Sequence, residues 1–459
     1  MKKIKEQIVV GLDIGTTKIC VFVAKMNESN KLEITGFGRA ESHGVLRGEV
    51  FNIDKTSEAI RIAVEQAEAQ SGYKISNVYV GIAGKHIKSM QNRAILTRGE
   101  NGDVITADEV ERLRMDMFKM ATNPGERIIH VIPQEYTVDT EHGVQEPIGM
   151  CGNRLEGNFH IITGQVSAAL NIERSVIKAG LSMTGLILEP LASAASVLSD
   201  EELEAGVALV DIGGGTTDVV IYHDMKVRHT AVIPFGGNII TEDIKHGLGV
   251  MKKQAEKLKT EYGSALAIET SNNDIIRIPG IKGRDAKEIS VRNLANIIEA
   301  RVEEIFEQVS FEIKSSGFAN SLIGGIVITG GGSQLKHLKQ HVEYITGMDT
   351  RIGYPIEHLD KNTNASMRSP MYATSLGLVL LGFEELRKNY VEEYEEEIEE
   401  VIQNEPLTMA AAEEMHSPVN DSTQQKKSEK VKSSNADGRR SWLDPIKNWF
   451  RIDAEDFEE

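Results

Sequence analysis

Two short stretches carry residue types suited to gripping phosphate. Asp13-Ile14-Gly15-Thr16-Thr17-Lys18-Ile19 recurs as Asp211-Ile212-Gly213-Gly214-Gly215-Thr216-Thr217-Asp218-Val219, and 198 residues separate the two leading aspartates, a domain-sized spacing. Glycines let a backbone approach a phosphate and adopt positive φ. Successive N–H groups and threonine hydroxyls then donate to phosphate oxygens. Asp13 and Asp211, each at the end of a β-branched run, can hold the water shell of Mg²⁺, and Lys18 adds a point charge. One Asp-Gly-Thr turn also describes an ordinary hairpin. Two copies facing each other across a cleft form a two-sided clamp. A third glycine run, Gly330-Gly331-Gly332 with Ser333 opening a helix, follows Ile326 to Thr329. It would let a flat base or ribose pack on backbone; a plain strand-to-helix turn is the competing reading.

These residues need a scaffold, and the 459-residue chain with 40% hydrophobic content can build more than one domain. Strand-like runs alternate with helical patterns up to about residue 385, an α/β arrangement. Ile8 to Ile14 and Ile19 to Ala24 read as a hairpin, Asp54 to Ser71 as a helix stopped by Gly72, and Val78 to Ala83 as a strand. Thr106 with Glu109 forms a capping box. Ile289 to Ser316 reads as a long amphipathic helix, buried along Leu294, Ile297, Ile298, Ile305, Phe306 and Val309 and stopped by Gly317. Ile323 to Thr329 reads as a buried strand.

Net charge of −18 argues against nucleic acid as a partner. Cys20 and Cys151, the two cysteines, match no metal spacing and read as reduced thiols. No apolar run reaches the ~18 residues of a spanning helix. Asp13 interrupts the first apolar patch too early for a signal peptide. Any membrane contact is therefore expected to be peripheral. From residue 386 to 440 the chain turns acidic and then polar, the composition of a disordered tether. Beyond it, Asp444 and Pro445 suit a helix start. Ile446, Trp449 and Phe450 then share one face, Trp442 and Leu443 adjoin it, and Lys447 and Arg451 lie on the polar side. That pattern fits an amphipathic helix lying in a membrane interface. A helix docking into a partner groove is the other reading. The acidic stretch 453–459 would weaken a single anchor and leave it to avidity.

Taken together, the two Asp-Gly-Thr hairpins and the glycine loop resemble the actin, Hsp70 and sugar-kinase superfamily over about residues 6–385. The resemblance implies an actin-like α/β fold: two similar halves around a nucleotide cleft, a small inserted subdomain, and a disordered C-terminal tether ending in the amphipathic helix. It implies ATP and Mg²⁺, with phosphate contacts from Gly15, Thr16, Thr17, Lys18 and from Gly213, Gly214, Gly215, Thr216 and Thr217. Metal-water contacts fall to Asp13 and Asp211, and adenosine contacts to Gly330, Gly331, Gly332 and Ser333. Gly236 and Gly237 match the segment after the second hairpin. Glu256 and Lys259 match a pair flanking the nucleoside, or else form an ordinary surface ion pair. Glu189 matches an acid that positions the attacking water, or else simply opens the helix before Pro190.

In detail the motifs are similar to those of the FtsA family of bacterial division proteins. That resemblance divides the chain into subdomain 1A (1–84 and 163–196), inserted subdomain 1C (85–162), subdomain 2A (197–229), subdomain 2B (230–305) and a closing part (306–385). A linker (386–440) and a membrane-targeting helix (441–459) follow. It implies a filament-forming protein on the cytoplasmic face of the cell membrane at the division site. It would bind the C-terminal tail of the tubulin-like FtsZ, further copies of itself, inner-membrane lipid and other division proteins, with at most slow ATP hydrolysis. Arg301 matches a basic contact for the acidic FtsZ tail; a surface pair with Glu304 or Glu307 is the alternative. A small-molecule kinase of the same fold is the competing function. It gives no reason for the tethered Trp-rich segment.

Overall fold

The computed structural model describes residues 7–99, 102–280 and 285–387. The segment with Trp442, Leu443, Ile446, Lys447, Trp449, Phe450 and Arg451 lies outside the described residues, as does all but the start of the expected linker.

Two five-stranded sheets share one plan. The first orders its strands Ser182–Leu188, Asn77–Ile82, Ile8–Ile14, Lys18–Met26 and Leu32–Glu41. The second orders Thr350–Ile352, Ile326–Thr329, Val207–Ile212, Thr217–His223 and Lys226–Ile233. In each, an antiparallel three-strand meander is extended by two parallel strands beside its first strand. Ile8–Ile14 and Val207–Ile212 are therefore central, covered on both faces, and almost wholly buried. Their near-continuous apolar sequences follow from that position. The parallel additions need long crossovers. Helix Ile53–Ser71 supplies one, capped by the Asn52 side chain and ended by Gly72 at φ 66°. The 25-residue helix Val291–Ser315 supplies its counterpart in the second sheet, and helices Val166–Lys178 and Leu338–Thr346 precede the outer parallel strands. Helix Ile53–Ser71 lies so close to its sheet that a Cβ on Gly38 would sit 1.7 Å from the Ala63 carbonyl oxygen.

A third sheet, ordered Lys88–Thr97, Arg154–Gln165, Glu126–Val138 and Glu141–Val144, stands apart with helix Ala107–Phe118. The capping box at Thr106 and Glu109 is formed. Leu113, Val131, Leu155, Phe159 and Ile161 give this unit its own core. Its sheet also reaches the second half, resting on strand Lys226–Ile233, the edge of that sheet. Ser89 Oγ donates to the Thr230 carbonyl at 3.0 Å, and His160 Nε2 lies 3.4 Å from Thr230 Oγ1. Arg228 donates to Gln134 at 3.4 Å.

Some element ends differ from expectation. The long helix starts at Val291 because the Ser290 side chain caps it, accepting from the Asn293 N–H; Ile289 belongs to the strand Lys287–Ser290. The buried strand starts at Ile326, after a Gly324-Gly325 turn with Gly325 at φ 66°. Ile323, read as part of that strand, is 83% exposed. The third glycine run leads directly into a 3₁₀ turn, Gly331–Gln334, which includes its last two glycines, and the α-helix begins only at Leu338, not at Ser333. Among the described residues no helix is long and apolar enough to cross a membrane.

Burial and the neighbouring His229 push the pKa of His160 down to about 4. An unfolded histidine titrates near 6.5. Between those two values the unfolded chain holds the extra proton, so stability falls as pH drops from about 6.5 to about 4. His160→Gln removes that contribution. A pH series of thermal midpoints should show the variant losing less stability than the native chain in that window, by about 1.4 kcal/mol per pH unit.

Candidate functional site

The loops of the two hairpins face each other. Ile14 pairs with Ile19 and Ile212 pairs with Thr217, so each loop holds four residues, Gly15 to Lys18 in one and Gly213 to Thr216 in the other. The Thr-Thr steps that make the sequences look alike are thus offset by two positions. Structurally Lys18 matches Thr216, and Cys20, opposite Asp13, matches Asp218, opposite Asp211. The loops touch: a Cβ on Gly214 would meet Thr17 Oγ1 at 1.9 Å, and one on Gly215 would meet Thr16 Oγ1 at 2.5 Å.

Between them lies a narrow cleft open to solvent. It is lined by residues 13–18, Gly48, Glu189, Asp211, residues 213–216, Asp218, Gly330, Gly331, Met371 and Thr374. Several expected residues are not part of this lining. Thr217 is buried and its hydroxyl donates to the Phe235 carbonyl at 2.8 Å. The Gly237 N–H donates to the Gly213 carbonyl at 2.9 Å, so Gly236 and Gly237 buttress the second loop from outside. Lys259 donates to the Gly237 carbonyl, Thr241 Oγ1 and Glu256, each at 2.8 Å. The Glu256–Lys259 pair therefore ties two helices together and supports that buttress. A Cβ on Gly332 would strike Ile212, and buried Ser333 donates to the Gly330 carbonyl at 2.8 Å.

Hydroxyls from distant segments fix the two metal-candidate acids. Ser375 Oγ donates to Asp13 at 2.8 Å. Ser193 Oγ and Thr374 Oγ1 donate to Asp211 at 2.6 and 3.1 Å. Thr374 and Ser375 open the helix spanning 373–387, and Ser193 sits on helix Glu189–Val197. Sequence reasoning missed all three, since a serine or threonine in a small-residue helix gives no signal of its target. It also gave Asp218 no role. Asp218 accepts from Thr216 at 3.3 Å, and its buried Oδ1 has no hydrogen-bond partner.

The electrostatics follow from burial. Glu189, first residue of its helix and packed on Gly81, has its carboxyl pKa held well above the usual range by burial and then by Asp13, Asp218 and Asp211. Asp218 is raised likewise by burial and Asp211. Asp211 is raised by burial, partly offset by Ser193 and Thr374. Burial works against the Lys18 charge, yet Asp13, Cys20 and Asp211 carry its pKa above the ordinary value. The Cys20 thiol is pushed up to about 12 by burial, so it stays protonated. Four carboxyl groups thus share one lysine in a desolvated space, and one buried oxygen is orphaned. This donor set suits an added cation. Among the described residues no group of three or more His, Cys, Asp or Glu is arranged to cage a metal. A divalent ion here would depend on phosphate and water for its remaining ligands.

Sequence comparison supplies the lineage. A family model described as "Cell division protein FtsA" matches residues 208–377, and one described as "SHS2 domain inserted in FTSA" matches residues 84–163. The chain is 38% identical over 378 residues to Cell division protein FtsA of Pseudomonas aeruginosa, covering 82% of this chain and 90% of that protein. To the Escherichia coli K12 protein of the same name it is 33% identical over 391 residues, covering 84% and 92%. The chain belongs to the FtsA family of cell-division proteins. Its actin-like fold is also that of a chain in the PilM-PilN type IV pilus biogenesis complex, with a TM-score of 0.58 at 16% identity, covering 82% of this chain and 98% of that one.

One expected FtsA-type contact stands outside the cleft. Arg301, on the long helix, binds Asp243 through two nitrogens at 2.5 and 3.1 Å and also contacts Glu304. The Glu304 pair was expected; Asp243 comes from helix Gly237–Leu248 and was not.

The helix bearing Thr374 and Ser375 packs so tightly that a Cβ on Gly377 would sit 1.7 Å from the Ala192 carbonyl oxygen. Gly377→Ala must push this helix away from Glu189–Val197. Overpacking of this kind costs about 1–3 kcal/mol, so urea denaturation should show that loss.

Proposed function

We propose that this FtsA-family chain binds ATP with Mg²⁺ in the cleft, polymerises on the cytoplasmic face of the cell membrane, binds the FtsZ tail and anchors the division ring to lipid. The observation that carries the nucleotide reading is the pair of four-residue glycine-threonine loops in mutual contact over a carboxyl-rich cleft. In this reading the loop N–H groups, Thr16, Thr17, Thr216 and Lys18 hold phosphate oxygens. Asp13 and Asp211, kept in place by Ser375, Ser193 and Thr374, orient water around the metal. The metal would neutralise phosphate charge. Gly330, Gly331 and Met371 form the wall for the nucleoside. Glu189 positions water at the far side of the phosphates, and its role is secondary to a structural one for the protein as a whole.

Membrane anchoring rests on the sequence pattern of Trp442, Leu443, Ile446, Lys447, Trp449, Phe450 and Arg451 within an FtsA-family chain. Recruitment of FtsZ and later division proteins rests on the family alone, and Arg301 would meet the FtsZ tail only by exchanging a present carboxylate partner. No observation favours the small-molecule-kinase reading.

Two measurements test the proposal. Lys18→Ala removes the one lysine in the cleft, and a charged hydrogen bond contributes about 1.5–3 kcal/mol. Calorimetric titration with Mg-ATP should therefore show affinity reduced on the order of 10- to 100-fold; native binding that survives unchanged refutes the phosphate role. Sedimentation with anionic liposomes and Mg-ATP should pellet the full chain, but not a chain ending before Ser441 or the Trp449→Glu variant. Equal behaviour of all three would refute the lipid anchor.

A further inference from the structure

A short turn stands over the point where the two phosphate loops meet. It joins strands Val45–Leu46 and Glu49–Val50. On one side the Gly48 N–H donates to Thr16 Oγ1 at 3.0 Å, and Gly48 itself lines the cleft. On the other, a Cβ on Gly215 would lie 2.9 Å from the Arg47 Cα. The turn backbone thus touches the tip of each loop, and Arg47 is the residue at the junction.

Arg47 has φ 51°. A long side chain rarely adopts this left-handed conformation, and where one persists the surroundings impose it, often at a functional position. The surroundings here are firm. The Phe51 and Asn52 N–H groups donate to the Gly44 carbonyl at 3.0 and 3.1 Å, and Asn171 Nδ2 donates to the Val50 carbonyl at 3.1 Å. The turn is therefore anchored to both the helix start and helix Val166–Lys178. Its arginine is exposed, and among the described residues no ion pair engages it. The cleft below carries four carboxyl groups against the single Lys18, so a bound polyphosphate would meet too little positive charge.

We propose that Arg47 is a phosphate-contacting residue that closes on the terminal phosphate of a nucleoside triphosphate held between the two loops. The inference rests on the nucleotide reading of the cleft and adds a specificity to it. A guanidinium offers a planar fork that matches two phosphate oxygens. Because the turn sits at the loop tips, its reach is to the end of the phosphate chain, so Arg47 distinguishes a triphosphate from a diphosphate.

Calorimetric titration of the native chain, Arg47→Ala and Arg47→Lys with Mg-ATP and with Mg-ADP tests this. Arg47→Ala is expected to weaken ATP by roughly tenfold, the lower end for a charge-assisted contact, while ADP affinity stays within about twofold; Arg47→Lys should fall between. Hydrogen exchange over residues 44–52 should slow with ATP in the native chain and not in Arg47→Ala. Both substitutions keep an L side chain at the same exposed turn position, so thermal midpoints should coincide with that of the native chain. Equal weakening of ATP and ADP, or weakening of neither, overturns the role of Arg47 while leaving the nucleotide cleft standing. A native chain that binds neither nucleotide overturns the nucleotide reading and this inference with it.

Discussion

The structure depends on holding carboxyl groups together out of water. Asp13, Asp211, Asp218 and Glu189 converge on one cleft with Lys18 as the one lysine lining it among the described residues, although buried charges normally demand a partner each. Three hydroxyls and raised pKa values share the burden here, and neither removes it: Asp218 Oδ1 still has no partner. A fold concerned only with stability would place apolar side chains there. The retained acids mark the cleft as the place where stability yields to binding, and an incoming cation would relieve the repulsion that the protein alone leaves in place.

Duplicate architecture is what makes that convergence possible. Each half supplies one buried central strand that delivers an aspartate at its end and a four-residue loop just beyond. The equivalence is geometric more than sequential, since Cys20 and Asp218 occupy matching places and differ in chemistry. That substitution distinguishes the two sides: opposite its aspartate the first half has a neutral thiol, the second an additional acid. The helix spanning 373–387 then ties the halves together. Its adjacent Thr374 and Ser375 reach Asp211 in one half and Asp13 in the other, so a single helix start fixes both acids.

Much of this was legible in the residues, and the rest failed for identifiable reasons. Periodicity and caps revealed the helix ending at Gly72, and the Thr106–Glu109 box, because those signals are local. Glycine and threonine in strand-flanked pairs revealed the loops, since few other residues allow so close an approach. The roles of Ser193, Thr374 and Ser375 depend on contacts across 18, 163 and 362 positions, which no local pattern encodes. Thr217 misled because repeating Thr-Thr steps invited an alignment that strand pairing contradicts. Ile323 misled because its apolar side chain continued a β-branched run, although Gly324 and Gly325 break it. Arg47 escaped notice because a Leu-Arg-Gly turn carries no phosphate signature; only the proximity of Gly215 and Thr16 gives it significance.

The inserted sheet adds a mechanical constraint. It is covalently part of the first half, leaving it near Gly84 and returning near Gln165, yet it rests on the edge strand of the second. Polar groups meet there: Ser89 and His160 on Thr230, Gln134 on Arg228, and Lys226 facing Glu135. Burial lowers the Lys226 pKa to about 8, so even its charge is held weakly. Polar interfaces of this kind part or slide more readily than apolar ones. Thr230 pairs with Val220, on the strand that begins at the second loop. A rotation of one half about the cleft must therefore displace Thr230 from Ser89 and His160 or carry the inserted unit with it. Those contacts resist opening of the cleft together with the hydrogen bonds of Thr374 to Asp211 and Ser375 to Asp13.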